Sequence, residues 1–169
     1  MVLWFAGASF VLVWVVFRSP AIDYRLVMLG AVLPVGEVVL GGAWILHTLL
    51  FGVAVMFVVM LVTQRRRLIR RRWIGLPIGL LLHLLLDGTW SQRELFWWPI
   101  GGGGLGGHVP EFDRGWPMQW ILELVGVACL VWAWQRFGLR DSARRREFVR
   151  TGHLDRSLVG GPPEEAAGC

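Results

Sequence analysis

His83 and Asp87 interrupt a leucine run, Leu80-Leu81-Leu82-His83-Leu84-Leu85-Leu86-Asp87, at a spacing of four. On a helix this spacing puts an imidazole and a carboxylate on one face, one turn apart. The run is apolar enough to lie in lipid, where an ionisable group costs about 2.5–3.5 kcal/mol on insertion scales and is a functional-site candidate by default. Asp87 precedes Gly88, a natural helix stop. Its carboxylate would therefore sit at the negative end of the helix dipole, where a bound cation offsets the repulsion.

Imidazole and carboxylate ligands together suit Zn²⁺, Mn²⁺ or Fe²⁺. With His47, the pair makes a His₂-carboxylate set with open positions for water; a metal there would lower the pKa of that water toward about 7 and polarise a carbonyl or phosphoryl oxygen. Glu37 is the candidate fourth ligand or general base. Each of these residues also has a plainer reading. His83 and Asp87 could be a hydrogen-bonded pair linking helices, and His47 a packing residue. Glu37, close to Pro34 and Gly36, could cap backbone freed by a kink. Glu123, near the interface, reads as structural or water-facing, His108, Arg93, Glu94 and Arg114 as ordinary loop residues, and His153 as lying away from the site.

The elements that must position these groups are hydrophobic segments. The chain of 169 residues is 55% hydrophobic with eleven Trp and a mean hydropathy of +0.55, values that fit a small all-α, polytopic integral membrane bundle better than a soluble domain. Five segments can be drawn: Val2–Phe17, Leu26–Leu40, Ala43–Val62, Trp73–Trp90 and Gln119–Phe137, several of them short against the roughly 20 residues of a straight span. Pro34 and Gly36 suggest that the second is broken or re-entrant. Met1 to Phe17 lacks a basic n-region, so it reads as a retained first span rather than a cleaved signal.

All seventeen basic residues are arginine, and most fall in two blocks, Arg65 to Arg72 and Arg136 to Arg150. Basic stripes flanking hydrophobic runs read as cytoplasmic loops, which makes nucleic-acid binding the weaker explanation of a pI near 10.9. The resulting topology is five membrane spans, N-terminus out and C-terminus in. Residues 1–137 form the helical domain, and 138–169 an arginine-rich cytoplasmic tail, disordered at its end. In this arrangement Glu37, His47, His83, Asp87 and Glu123 all fall in the outer half of the membrane, as one polar layer. The glycine-rich stretch Gly101 to Gly107 lies in the external connection as a mobile loop and is not a phosphate-binding fingerprint. Cys129 and Cys169 make no disulfide framework.

Gly30-Ala31-Val32-Leu33-Pro34, His47-Thr48-Leu49-Leu50-Phe51, His83-Leu84-Leu85-Leu86-Asp87 and Leu95-Phe96-Trp97-Trp98-Pro99, in that order and spacing, resemble the bacterial membrane-bound metal-dependent hydrolases over about residues 26 to 100. The resemblance implies metal-ligand roles for His47, His83 and Asp87. Where the family pattern has aspartates after the proline, this chain has Val35-Gly36-Glu37, so Glu37 alone can substitute for a carboxylate. The family's N-terminal Thr-His pair has no counterpart in Val2 to Phe17.

These readings lead to the expectation of a membrane-embedded, metal-dependent hydrolase acting on an ester or phosphoester bond of a lipid or lipid-linked envelope molecule near the outer leaflet. Its partners would be membrane lipids and a lipid-like substrate; the oligomeric state is left open. The alternative is a non-catalytic membrane protein of the same fold, whose polar layer is structural or an assembly surface and whose arginine-rich tail docks a partner or anionic lipid. A small transporter or proton relay would use the same buried acids, but five spans without an evident repeat disfavour it.

Overall fold

The computed structural model describes residues 1–39, 41–101, 105, 114–155 and 157. They are helical, with no strand among the described residues. The longer helices are α1 (Val2–Phe17), α2 (Tyr24–Val39), α3 (Leu49–Val62), α5 (Gly75–Asp87) and α7 (Gly115–Arg136). Shorter ones are α4 (Arg67–Trp73), α6 (Arg93–Phe96) and α8 (Ser142–Thr151), with 3₁₀ turns at Ile45–His47 and Thr89–Ser91.

The helices pack in the order α7, α1, α2, α5, α3. Small residues let two of these pairs approach closely. A Cβ on Gly30 would overlap the Leu76 carbonyl across the α2–α5 contact, and one on Gly79 would overlap the Val27 carbonyl. Between α1 and α7, a Cβ on Gly7 would overlap the Gly126 carbonyl, and one on Gly126 the Leu3 carbonyl. Close backbone approach through glycine is the packing mode of helices in lipid, where apolar side chains alone give little drive to associate.

The main apolar core gathers at one end, around Phe10, Val13, Tyr24, Val27, Ala133 and Phe137. Leu139 and Leu154 join it, so the expected tail is partly built into the bundle. Asp23, fully buried at the start of α2, organises this end. Its carboxylate accepts from the Arg25 and Leu26 amides and the Arg25 guanidinium, and pairs with Arg72 Nε at 3.5 Å. Arg25 also donates to the Val149 carbonyl, Tyr24 N to Gly152 O at 3.0 Å and Leu154 N to Pro20 O at 3.1 Å. Gly152 has φ 74° and lies so close to Asp23 that a side chain there would strike the carboxylate. Thus α4 and α8, which carry the two arginine blocks, meet at one end of the bundle.

Several sequence expectations change. The helix α2 runs unbroken through Pro34, so it is neither broken nor re-entrant between Tyr24 and Val39. A proline removes one helical hydrogen bond, and the tight packing of α2 on α5 offsets that loss. The third segment does not begin as helix at Ala43; a 3₁₀ turn precedes α3. Among the described residues one helix, α7, with 22 residues, is long and apolar enough to cross a membrane, while α1 and α3 are shorter apolar helices. Glu123 has the structural role that its sequence reading allowed: it accepts from the Trp4 amide at 3.0 Å and pairs with the N-terminal amine at 3.6 Å, pinning the start of α1 to α7. The glycine-rich stretch beyond Gly101, His108 and the chain end after Ser157 lie outside the described residues, apart from Leu105.

Candidate metal centre

Three of the expected residues converge. His47, His83 and Asp87 are fully buried, and each offers a ligand atom, all lying within 4.8 Å of one another. They form a cluster that could hold a metal ion. Around an ion with ligand bonds near 2 Å, tetrahedral donor atoms lie about 3.3 Å apart, so a small inward rotation of the side chains would complete the site.

The helix α5 supplies two of the three. After Gly75, Pro77 and Gly79 in its first turns, its leucine run supplies strong helix formers, and it ends where Gly88 takes the left-handed conformation at φ 77°. His83 and Asp87 project from one face, as their spacing of four requires. Thr89, in the following 3₁₀ turn, donates its Oγ1 hydrogen to Asp87 Oδ2 at 2.7 Å. Arg114 donates to the Leu86 carbonyl at 3.3 Å and to that of Asp87, placing a cation at the negative end of α5. A loop residue in the sequence reading, Arg114 instead caps the helix that carries the site.

His47 arrives from a different element. It ends the Ile45–His47 turn, and Thr48 immediately afterwards caps α3, accepting from the Phe51 amide at 3.2 Å and donating to the Ile45 carbonyl at 2.7 Å. The histidine is therefore held beside, not within, α3. Its ring lies edge-on to that of His83 with centroids 5.2 Å apart, and Phe5 of α1 covers His83 with a centroid distance of 4.1 Å.

The hydrogen bonds orient both rings. His83 Nδ1 is 2.7 Å from the Ala31 carbonyl oxygen, and His47 Nδ1 is 3.0 Å from Glu37 Oε2. An oxygen acceptor on Nδ1 requires the proton there, which leaves Nε2 as the lone-pair donor on each ring. Both Nε2 atoms are buried and have no hydrogen-bond partner among the described residues. Two buried acceptors left this way cost about 1–3 kcal/mol each unless something else engages them.

Glu37 is near the site but behind it. Its carboxylate accepts from Trp44 N at 3.0 Å, Leu46 N at 2.9 Å and His47 Nδ1, and meets His47 on the ring edge away from Nε2. Sequence reasoning missed the Ala31 carbonyl, Phe5, Thr89 and Arg114. Only Thr89 left a signal, as a hydroxyl two residues after Asp87. A backbone carbonyl or a ring from another helix leaves none.

Compared with known proteins, the chain matches no family model, no curated protein and no solved structure. The resemblance to metal-dependent hydrolases therefore rests on the quoted residues and their spacing.

Proposed function

We propose that this chain is a multi-pass membrane protein in which His47 Nε2, His83 Nε2 and an Asp87 carboxylate oxygen hold a divalent metal ion, Zn²⁺, Mn²⁺ or Fe²⁺, and that it hydrolyses an ester or phosphoester bond of a lipid or lipid-linked molecule near the outer face of the plasma membrane. The observation that carries this reading is a cluster of two histidines and a buried carboxylate with one ligand atom of each within 4.8 Å, in which both histidines keep a buried, unpartnered Nε2. A bound ion would supply Lewis-acid polarisation of a carbonyl or phosphoryl oxygen. The protein's part is orientation: Ala31 and Glu37 hold the two ring protons away from the site, Thr89 fixes the Asp87 carboxyl, and Phe5 excludes water from one side. Three protein ligands leave a coordination position open, as in catalytic rather than structural zinc sites. Glu37, the expected general base, takes no catalytic part in this reading because its three donors face His47 and the adjoining turn.

Membrane insertion is supported by the distribution of apolar surface. At 22 residues α7 is about 33 Å long, the thickness of a hydrocarbon core. Only 11% of its most apolar eighteen residues are buried, which separates it from the core helix of a soluble protein. Large apolar side chains are also exposed along α3, including Phe57, Val58 and Leu61. The α4 and α8 arginines gather at the Asp23 end. Along α5, His83 and Asp87 lie eight and twelve residues beyond Gly75, whose neighbour is Asp23, or about 12 and 18 Å from that end. With the arginines cytoplasmic, these depths bracket the middle of a hydrocarbon core about 30 Å thick, with His83 just short of it and Asp87 on its outer side.

A second reading has its own observation. All three residues are fully buried, which limits the access that a substrate needs and suits a centre that holds helices together. The test is to reconstitute Zn²⁺- or Mn²⁺-loaded protein into liposomes and screen lipid esters and phosphoesters beside Asp87→Asn. Turnover lost in the variant supports the hydrolase. Stoichiometric metal without turnover, combined with a fall in thermal stability on chelation, would overturn catalysis and favour a structural centre.

A further inference from the structure

His47 comes from a weak element. Short 3₁₀ pieces have poor hydrogen-bond geometry and depend on their surroundings, and Ile45–His47 is a single such turn, reached through Gly41 at φ 115°. Something outside the turn must hold it, and Glu37 does. Its two carboxylate oxygens together accept from the Trp44 and Leu46 amides and from His47 Nδ1. The position is otherwise unfavourable for an anion, since Glu37 lies in the last turn of α2, at the negative end of that helix. Three donors offset this. The side chain is 12% exposed, so the bonds from Leu46 N and His47 Nδ1 are partly shielded from competing water, while that from Trp44 N is exposed.

We infer that Glu37 is a positioning residue for the metal centre, acting through His47; the inference rests on the metal reading above. By accepting from Nδ1, the carboxylate keeps the proton off Nε2, fixes the ring plane, and makes the imidazole a stronger donor than a free one. His83 has a neutral counterpart in the Ala31 carbonyl. The two histidines are therefore unequal ligands, one backed by a full charge and the other by a peptide dipole. The same carboxylate ties ligand geometry to the α2–α3 turn, so displacing that turn would displace the ligand.

The test is a double-mutant cycle on Zn²⁺ affinity, measured with detergent-purified full-length protein by competition with a chromogenic chelator, for the parent, Glu37→Gln, His47→Ala and the double variant. Glu37→Gln should weaken Zn²⁺ binding about 10–100-fold, the usual effect of losing an outer-shell partner, and Glu37→Asp should recover part of it. In the His47→Ala background the same change should cost less than about twofold, because the ring it acts through is gone. The Co²⁺-loaded protein should show shifted visible bands in Glu37→Gln, a change that mere loosening of the fold would not produce. Parental affinity in both Glu37 variants, or an additive cycle accompanied by an equal loss of thermal stability, would overturn the positioning role while leaving the metal centre in place. Absence of Zn²⁺ binding by the folded parent would overturn both.

Discussion

His83 Nδ1 lies 2.7 Å from the carbonyl oxygen of Ala31, 52 residues earlier in the chain. That bond exists because glycines allow α2 and α5 to touch backbone to backbone. It binds an expensive ionisable group to a closely packed pair of helices and leaves the other ring nitrogen buried and without a hydrogen-bond partner.

Widening the α2–α5 contact should therefore damage the centre from a distance. Gly79→Ala forces a methyl group into the Val27 carbonyl, and overpacking of this kind costs about 1–3 kcal/mol. The expected outcome is a lower unfolding midpoint together with weaker Zn²⁺ binding, read by thermal unfolding and chelator competition. Gly36→Ala, where a Cβ meets nothing within 4 Å, is the control: it should leave Zn²⁺ binding as it is and should not lower the midpoint, since alanine favours helix over glycine by about 0.5–1 kcal/mol.

Glu123 should behave independently of the metal. Glu123→Ala removes the bond to the Trp4 amide and the pairing with the N-terminal amine, at a cost of about 1–2 kcal/mol for a partly buried charged acceptor. Metal content by mass spectrometry should match the parent.

The buried Asp23 holds the C-terminal strap to the bundle. Asp23→Asn keeps an acceptor for the Arg25 and Leu26 amides but loses the charge that faces Arg25 and Arg72. Because those guanidinium groups are 29% and 58% exposed, screening limits the loss to about 1–2 kcal/mol. Limited proteolysis should cut within α8 sooner than in the parent, with the metal centre retained.

Asp155 adds a small pH dependence at the same end. The Ser157 amide and hydroxyl, then Arg144 at 3.3 Å, hold its carboxyl below the usual carboxylate range. A depressed carboxyl contributes stability that is present above its unfolded pKa of about 3.9 and is lost as pH falls through the lower folded value. Asp155 and Arg144 are 35% and 40% exposed, so solvent screening keeps the effect slight. Unfolding midpoints taken from pH 6 down to 3 should fall slightly less steeply for Asp155→Asn than for the parent.

Much of this was legible in the residues. The first hydrophobic segment coincides with α1, and the spacing of His83 and Asp87 placed them on one face of a helix, as observed. The reach of His47 to that pair was a matter of tertiary packing: the residue sits in a 3₁₀ turn whose direction depends on Glu37 and on Thr48 as a cap. Pro34 misled because local propensity cannot register how strongly α5 supports α2. The reading of Glu123 as structural or water-facing agrees with its bonds to the start of α1, although which backbone it would hold depends on helix rotation, which is invisible to hydropathy. The closeness of Leu139 and Leu154 to Phe10 is likewise a long-range contact without a local signal.

The central claim is that His47, His83 and Asp87 hold a metal ion. Its most direct test is metal content by inductively coupled plasma mass spectrometry of detergent-purified protein beside the His83→Ala/Asp87→Ala variant. The expected result is about one Zn, Mn or Fe per chain in the parent, lost in the variant. A parent that is folded yet metal-free after incubation with each of these ions, or a variant that retains the parent's metal, would contradict the account.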